Sequence, residues 1–353
     1  MESGMALFEH PDFDNHEQVA FHHDKKTGLK AIIAVHNTNL GPSLGGCRMW
    51  PYASSEEALT DALRLSVGMS YKAAMANLPQ GGGKAVIIAN PREHKSEALM
   101  HAMGRFVDTF NGRYIIAEDS GISVQDINQM ATQTKFASGH HARYAITDQK
   151  PDGNPGPSTA YGVFCGIQAA VKYVFNSDLQ GKTVAIQGVG NVGLRLARYL
   201  HKAGAKLFVS DIYEENLLIA HKELNATIVD NKIIHSLEVD VFAPCALGSA
   251  VNKDTLNAFN TKIIAGAANN QLANPTMDLA LMNRQITYVP DYVINAGGII
   301  DIHHQTIDGS NDANLLEQVG NIGSTVLHVL EQAKEQGLPT QQVANNIAAS
   351  RFS

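Results

Sequence analysis

Cysteine is scarce in this chain. Cys47, Cys165 and Cys245 stand far apart, with no CxxC pair. That excludes a disulfide framework and suits reduced thiols in a cytoplasmic protein. No run reaches the ~18 apolar residues of a membrane span. Met1 to His10 lacks the positive then apolar pattern of a secretory signal. Clustered Lys and Arg are also missing, and the net charge is −7, which argues against nucleic-acid or membrane-surface partners. Histidine is plentiful, but there is no HExxH and no Cys/His quartet, so no metal is expected. The adjacent pairs His22-His23, His140-His141 and His303-His304 read as solvated surface residues. No internal repeat or low-complexity segment occurs.

What is present is an α/β pattern long enough, at 353 residues, for two domains with a core each. In the first half, Leu29 to Val35, Lys84 to Ala89 and Arg113 to Ala117 read as strands. Helical spacing covers Ser55 to Met69, His94 to Phe110 and Val124 to Thr134. Ala58, Leu59, Ala62, Leu63 and Val67 form the inward face of the first helix, and Ser54 or Ser55 can cap it. Asp148 to Ser158 carries Pro151, Gly153, Pro155, Gly156 and Pro157, and reads as a hinge linker. Thr159 to Phe175 opens the second half as a helix. Beyond it, short strands at Asp240 to Ala243, Lys262 to Ala265 and Thr287 to Val289 alternate with helices, which implies a parallel, doubly wound sheet. The expected boundaries are 1–147 and 148–329, with the C-terminal helices, 330–353, returning to the first domain.

The second half holds the most informative segment, Gly188-Val189-Gly190-Asn191-Val192-Gly193. An apolar strand, Thr183 to Gln187, precedes it. A helical stretch, Val192 to His201, follows, and a second strand, Lys206 to Ser210, ends on Asp211. The first glycine allows a tight turn, the second lets backbone approach a pyrophosphate, and the third lets helix pack on strand. The helix N-terminus offers free N–H groups to the phosphates. Asp211 can accept from a ribose 2′-OH and would repel a 2′-phosphate, so NAD is favoured over NADP.

The first half places lysines in unusual settings. Lys72 ends an apolar helical face in Ser70-Tyr71-Lys72-Ala73-Ala74. Lys84 follows three glycines and begins an apolar strand, Gly81-Gly82-Gly83-Lys84-Ala85-Val86. A lysine in a desolvated setting gives up its proton more readily and can serve as a base. A P-loop is excluded, because Leu78 stands where its first glycine belongs and Ala85 where its Ser or Thr belongs. A strand-end carboxylate pair, Glu118-Asp119, could exchange a proton with a substrate and with Lys84.

Taken together, these motifs resemble the amino-acid dehydrogenases, in the leucine, valine and phenylalanine branch related to glutamate dehydrogenase. The resemblance runs in order from about Leu29 to Ile300. It is carried by Gly41-Pro-Ser-Leu-Gly-Gly-Cys-Arg-Met49, Ser70 to Ala74, Gly81 to Val86, Glu118-Asp119 and Gly153-Asn-Pro-Gly-Pro-Ser-Thr-Ala160. Further on it rests on Gln187 to Gly193, Phe242 to Gly248, Ile264 to Leu272 and Pro290 to Gly298.

The resemblance implies a substrate domain, a Rossmann-type NAD domain and a cleft between them. It implies that Lys72 holds the substrate carboxylate, that Lys84 activates water, and that Asp119 exchanges a proton with the substrate nitrogen. Gly45 and Gly46 would pass close to the bound amino acid. Thr159, Asn270 and Asn295 would surround the nicotinamide and the reacting carbon. The implied reaction is reversible oxidative deamination of an amino acid to a 2-oxo acid and ammonium, by a cytoplasmic homo-oligomer, octamer or dimer. Leu44, Ala117, Ile299 and Ile302 match the side-chain pocket and read as aliphatic, which favours leucine, valine and isoleucine. Phenylalanine is the alternative substrate, and a non-catalytic NAD-binding sensor is the alternative of another class. Asp301, where the family often has Asn, and His303-His304-Gln305 depart from the family pattern.

Overall fold

The computed structural model describes residues 7–139, 146, 154–246 and 248–353. The chain forms two units. One is Met1–Arg143 with Gln305–Asp308 and Ala348–Ser353; the other is Tyr144–His304 with Gly309–Ile347.

The first unit contains β1 (Gln18–Asp24), β2 (Leu29–Asn37), β3 (Ser43–Trp50), α1 (Ser55–Met75), β4 (Gly81–Ile88), α2 (Glu97–Asp108), β5 (Tyr114–Glu118) and α3 (Val124–Ala131). Its five strands lie in the order β1-β2-β4-β3-β5. β1, β2 and β4 pair antiparallel, while β3 runs parallel to both β4 and β5. β2 and β4 read as near-continuous apolar runs because both faces are covered. On one face, Cys47, Met49, Ala85 and Ile87 pack with Leu99, Met103, Phe106 and Ile127 of α2 and α3. On the other, Ile32, Ala34 and Val86 meet Ala58, Ala62 and Leu63 of α1. Ser54 caps α1, its Oγ accepting from Glu57 N at 3.0 Å. The glycines before Lys84 have a packing reason. A Cβ on Gly82 would lie 2.1 Å from Ser70 N, so glycine there lets α1 sit directly on β4.

Two buried imidazoles stand between α1 and β2. His16 Nε2 reaches Leu63 O at 3.2 Å and Ser66 Oγ at 3.0 Å, while its Nδ1 accepts from Asp14 N. His36 Nδ1 meets Ser70 Oγ at 2.7 Å, and the two rings are 5.1 Å apart. Burial, then the neighbouring His36, pushes the His16 pKa down to about 4. The folded state therefore holds His16 neutral while the unfolded chain takes up a proton near its ordinary value. Stability is expected to be full above that value and to fall as pH drops from about 6.5 to about 4, by up to about 3 kcal/mol from His16 alone. Denaturant melts of the wild type and His16→Gln at pH 7.5 and 5 check this; equal pH slopes in the two proteins would contradict it.

The second unit contains α4 (Gly156–Phe175), β6 (Thr183–Gln187), α5 (Asn191–Lys202), β7 (Lys206–Ser210), α6 (Glu214–Leu224), β8 (Thr227–Ile228), β9 (Glu238–Pro244), α7 (Lys253–Leu256), β10 (Asn260–Ile264), α8 (Thr276–Asn283) and β11 (Thr287–Tyr288). After these come α9 (Asp291–Ile294), α10 (Gly297–Thr306), α11 (Asp312–Gly320), α12 (Ile322–Gln336) and α13 (Thr340–Phe352). The strand order is β11-β10-β9-β6-β7-β8, and every pairing is parallel. Counted from β6, this is the Rossmann order, with its switch point between β6 and β9.

Three sequence expectations change. Asp148 to Gly153, the first part of the expected linker, lies outside the described residues. Its last part is helical, because α4 starts at Gly156 and seats Pro157 in its first turn, where a missing N–H costs nothing. Of the C-terminal stretch 330–353, only Ala348–Ser353 groups with the first unit; α12 packs on α4 instead. His303 and His304 are buried rather than solvated. His304 is fixed through Nδ1 to Ser310 Oγ at 2.5 Å and Nε2 to Gln318 Oε1 at 2.6 Å. His140-His141 lies outside the described residues.

Candidate active site

In the first unit, register gathers the predicted residues on one face. Leu44 pairs with Gly82 and Gly46 with Ala117. Side chains two apart on a strand share a face, so Leu44, Gly46, Gly82, Lys84 and Ala117 all lie on the face that α1 covers. Lys72 is half-buried in the last turn of α1. Leu44 and Ala117 are buried.

Lys84 is the fourth residue of β4, and its side chain is 7% exposed. Its Nζ donates to Asp119 Oδ2. Asp119 follows β5, with its Cβ held against Gly46: a Cβ on that glycine would lie 2.7 Å away. The same Oδ2 lies 3.3 Å from Arg48 Nε. Burial alone would raise the Asp119 pKa, but the charges of Lys84 and Arg48 outweigh it and hold the carboxyl at about 2. Arg48 also binds Asp61 of α1, its Nη1 lying 3.0 Å from Oδ2. Tyr52 donates to that oxygen, and burial with this bond to Asp61 raises its hydroxyl pKa well above the ordinary value. The result is a buried amine beside a carboxylate that stays ionised, an arrangement chemically able to exchange a proton with a bound ligand.

In the second unit, β6 ends at the switch point and the glycine turn follows. Gly188 has φ +94°, a backbone conformation that glycine adopts without strain. A Cβ on Gly193 would lie 2.0 Å from Gly188 O, so the third glycine is a packing requirement of α5. Gly190 faces open space, where a ligand backbone could approach. Val189 and Asn191 flank it, and Val192 lies in the first turn of α5. Asp211 follows β7, its Oδ2 accepting from Val189 N at 2.8 Å and its Oδ1 from Tyr213 N at 2.9 Å. The acid is thus fixed against the turn.

Asn295 is buried and follows α9. Its Nδ2 donates to Ala267 O at 3.1 Å and Asn269 Oδ1 at 2.7 Å. Its Oδ1 is buried with no protein donor among the described residues, so an acceptor is available to a ligand amide or ammonium. Thr159 lies in the first turn of α4, its hydroxyl donating to Pro155 O at 3.0 Å. A Cβ on Gly298 would lie 3.0 Å from that hydroxyl oxygen, so the N-terminal turns of α4 and α10 pack closely. Asn270 is exposed, with φ +52°. Ile299 is buried and Ile302 half-buried on α10. The open approach at Gly190, the carboxylate of Asp211 and the free acceptor of Asn295 together fit a nicotinamide dinucleotide.

Sequence reasoning missed Arg48, Asp61 and Tyr52. The available signal was Arg48, two residues past Gly46 and therefore on the same face. It also missed the bond from Ser158 Oγ to Asp301. Among the described residues, no group of three or more His, Cys, Asp or Glu is placed to hold a metal, and no helix is long and apolar enough to cross a membrane.

Residues 15–136 match the profile of the Glu/Leu/Phe/Val dehydrogenase dimerisation domain. Residues 155–213 and 209–351 match that of Glutamate/Leucine/Phenylalanine/Valine dehydrogenase. The chain is 47% identical to leucine dehydrogenase of Geobacillus stearothermophilus, over 99% of this chain and 94% of that one. It is 41% identical to valine dehydrogenase of Streptomyces virginiae, over 98% and 96%. It superposes on the crystal structure of L-tryptophan dehydrogenase from Nostoc punctiforme with TM-score 0.84 and 46% identity, covering 96% of each chain.

Proposed function

Because the chain belongs to the Glu/Leu/Phe/Val dehydrogenase family and is an amino-acid dehydrogenase, we propose that it carries out NAD-dependent, reversible oxidative deamination of leucine, valine and isoleucine. The observation that carries the reading is the Lys84–Asp119 pair, set beside Gly46 and Ala117 on the α1 face. In this reading Lys72 binds the substrate carboxylate. The bound nicotinamide supplies a hydride acceptor for Cα. Asp119 takes a proton from the substrate ammonium and stays otherwise ionised between its two cations. Lys84, a cation in the resting pair with Asp119, would pass its proton to water once substrate is bound, and the free amine then takes a proton from the water that attacks the iminium carbon. Asp119 returns its proton to the carbinolamine nitrogen, the hydroxyl loses its proton to water as the C–N bond breaks to give the 2-oxo acid, and the released ammonia takes up a proton as ammonium. A binding sensor would have no use for this buried pair.

Leu44, Ala117, Ile299 and Ile302 are the residues proposed to read the side chain. All are aliphatic, and an aliphatic surface rewards leucine over polar or charged amino acids. Gly188 to Gly193 would hold the pyrophosphate, Asp211 the ribose, and Thr159, Asn270 and Asn295 the nicotinamide end. The dimerisation-domain match supports a homo-oligomer, and free Cys47, Cys165 and Cys245 suit a reducing cytoplasm. The decisive experiment is NADH absorbance across a panel of L-amino acids that includes phenylalanine and tryptophan. Branched-chain substrates should give the highest kcat/KM; a preference for an aromatic one would overturn the specificity.

Two further outcomes follow. The kcat/KM with NAD should exceed that with NADP, because Asp211 would face a 2′-phosphate, and Asp211→Ala should narrow the ratio. Equal use of both cofactors by the wild type would remove Asp211 from this role. Lys72→Ala should raise KM for the amino acid far more than KM for NAD, since it would remove a charge-assisted bond to the substrate alone. An unchanged amino-acid KM would count against the carboxylate contact.

A further inference from the structure

The carboxylate assigned above to proton exchange is not held by Lys84 alone. Arg48 leaves β3 on the same face as Gly46 and divides its guanidinium between two acids. Nε lies 3.3 Å from Asp119 Oδ2, and Nη1 lies 3.3 Å and 3.0 Å from the two oxygens of Asp61. Asp61 belongs to α1, the helix that also carries Lys72. Tyr52, between β3 and α1, donates to Asp61 Oδ2 at 2.5 Å and fixes the far end of the chain of contacts. The Arg48 and Asp61 side chains are each 26% exposed, so water only partly screens the pair. The series therefore runs Tyr52, Asp61, Arg48, Asp119, Lys84, crossing from α1 to β3, then to the end of β5 and to β4.

We propose that Arg48 is a positioning residue for deamination, anchored by Asp61 and Tyr52, which holds the Asp119 carboxylate in place by its charge. The inference rests on the role proposed for Asp119.

Three observations support it. Lys84 donates to Asp119 Oδ2, and Arg48 Nε stands 3.3 Å from the same oxygen without completing a hydrogen bond, so Arg48 adds a second positive charge beside it from β3. Asp61 neutralises Arg48, so the cation can stand near Lys84 without an unbalanced positive cluster. Cys47 and Tyr114 also sense the charge of Asp119, from the opposite face of the sheet, and both are fully buried. Burial pushes both pKa values up, so both stay neutral and neither can take the place of Arg48. A lysine in place of Arg48 would keep one charge but lose the fork that spans two carboxylates.

The test uses the full-length enzyme with NAD and L-leucine. Arg48→Met should lower kcat by about 10- to 100-fold, a share of what a general acid–base residue contributes. The solvent isotope effect on kcat should rise, because a proton step becomes limiting, while KM for NAD stays near the wild-type value. Arg48→Lys should recover part of the loss, and Asp61→Asn should fall between the two. Combined with Asp119→Asn, Arg48→Met should add nothing further, since its effect passes through that carboxylate. If Arg48→Met does not fold, Asp61→Asn carries the same readouts. Wild-type kcat and isotope effect in the folded Arg48→Met or Asp61→Asn enzyme would overturn the proposal, as would an added loss on the Asp119→Asn background. An Asp119→Asn enzyme that is fully active would overturn the Asp119 assignment and the inference with it. An inactive Asp119→Asn beside a normal Arg48→Met would overturn the inference alone.

Discussion

Lys84→Ala should lower kcat for deamination by at least about 10²–10⁴-fold while NAD binding persists, as removal of a general base does. Lys84 and the glycine turn belong to different units of the chain, so the substitution leaves Gly188 to Gly193, Asp211 and their contacts intact. Removing the amine also removes one of the two cations beside Asp119, and Arg48 remains at 3.3 Å to hold it. A small cavity replaces the side chain in β4, flanked by Ala34 and the α1 face. The loss of rate should therefore exceed anything explained by stability. Steady-state kinetics, with NAD affinity from ligand fluorescence and Tm from a thermal melt, separate the three effects. A variant within a few-fold of wild-type kcat would remove Lys84 from the mechanism.

The second unit was the more legible half in the sequence. Its strands are short apolar runs, each closed by a turn residue, and a parallel sheet covered on both faces permits little else. Lys206 to Ser210 and Thr183 to Gln187 are strands at the bounds expected. The glycine turn was readable because each of its glycines answers a different steric demand. The first unit was harder. β1 lies at the sheet edge with mixed exposure, so Gln18–Asp24 shows no apolar run. β3 was read as a motif and not as a strand, because Gly45 and Gly46 break the strand signal in Ser43–Trp50. With β3 unrecognised, the alternation that puts Arg48 on the face of Gly46 and Lys84 was invisible.

The buried histidines were misread for a related reason. A pair such as His303-His304 looks hydrophilic locally, and the partners that satisfy His304 when it is buried, Ser310 and Gln318, are set by the fold. Lys72 and Lys84 stood out in the sequence because their neighbours are apolar or glycine. The residues that hold Asp119 were missed because Asp61 looks like any first-half helix acid. Its partner, Arg48, becomes visible only once β3 and α1 are placed together.

Gly45→Ala should be the most damaging single-methyl change in the first unit. The φ of Gly45 is not in the left-handed region, so alanine is conformationally acceptable there. Space is the obstacle. A Cβ at Gly45 would lie 1.7 Å from Gly83 O and 2.4 Å from Gly83 C, backbone atoms of the neighbouring strand that cannot rotate away. Nor can the strands slide apart freely. Tyr114, fully buried, donates to Gly45 O at 2.7 Å, and its ring lies where a Cβ on Gly83 would be, at 2.7 Å. Relief would have to come from moving β3 off β4, next to Lys84. Overpacking of a tight core typically costs about 1–3 kcal/mol, and a clash with backbone belongs at or above the top of that range. In a unit of this size each kcal/mol lowers Tm by roughly 2–8 °C, so a fall of about 6 °C or more, or loss of soluble protein, is expected. The measurement also decides between two readings of the same residue. Had Gly45 been glycine only so that a bound amino acid could come near, Gly45→Ala would raise the amino-acid KM and leave Tm unchanged. A Tm within about 2 °C of wild type, a shift of about 1 kcal/mol at most, would favour that reading and reject strand spacing as the reason for this glycine.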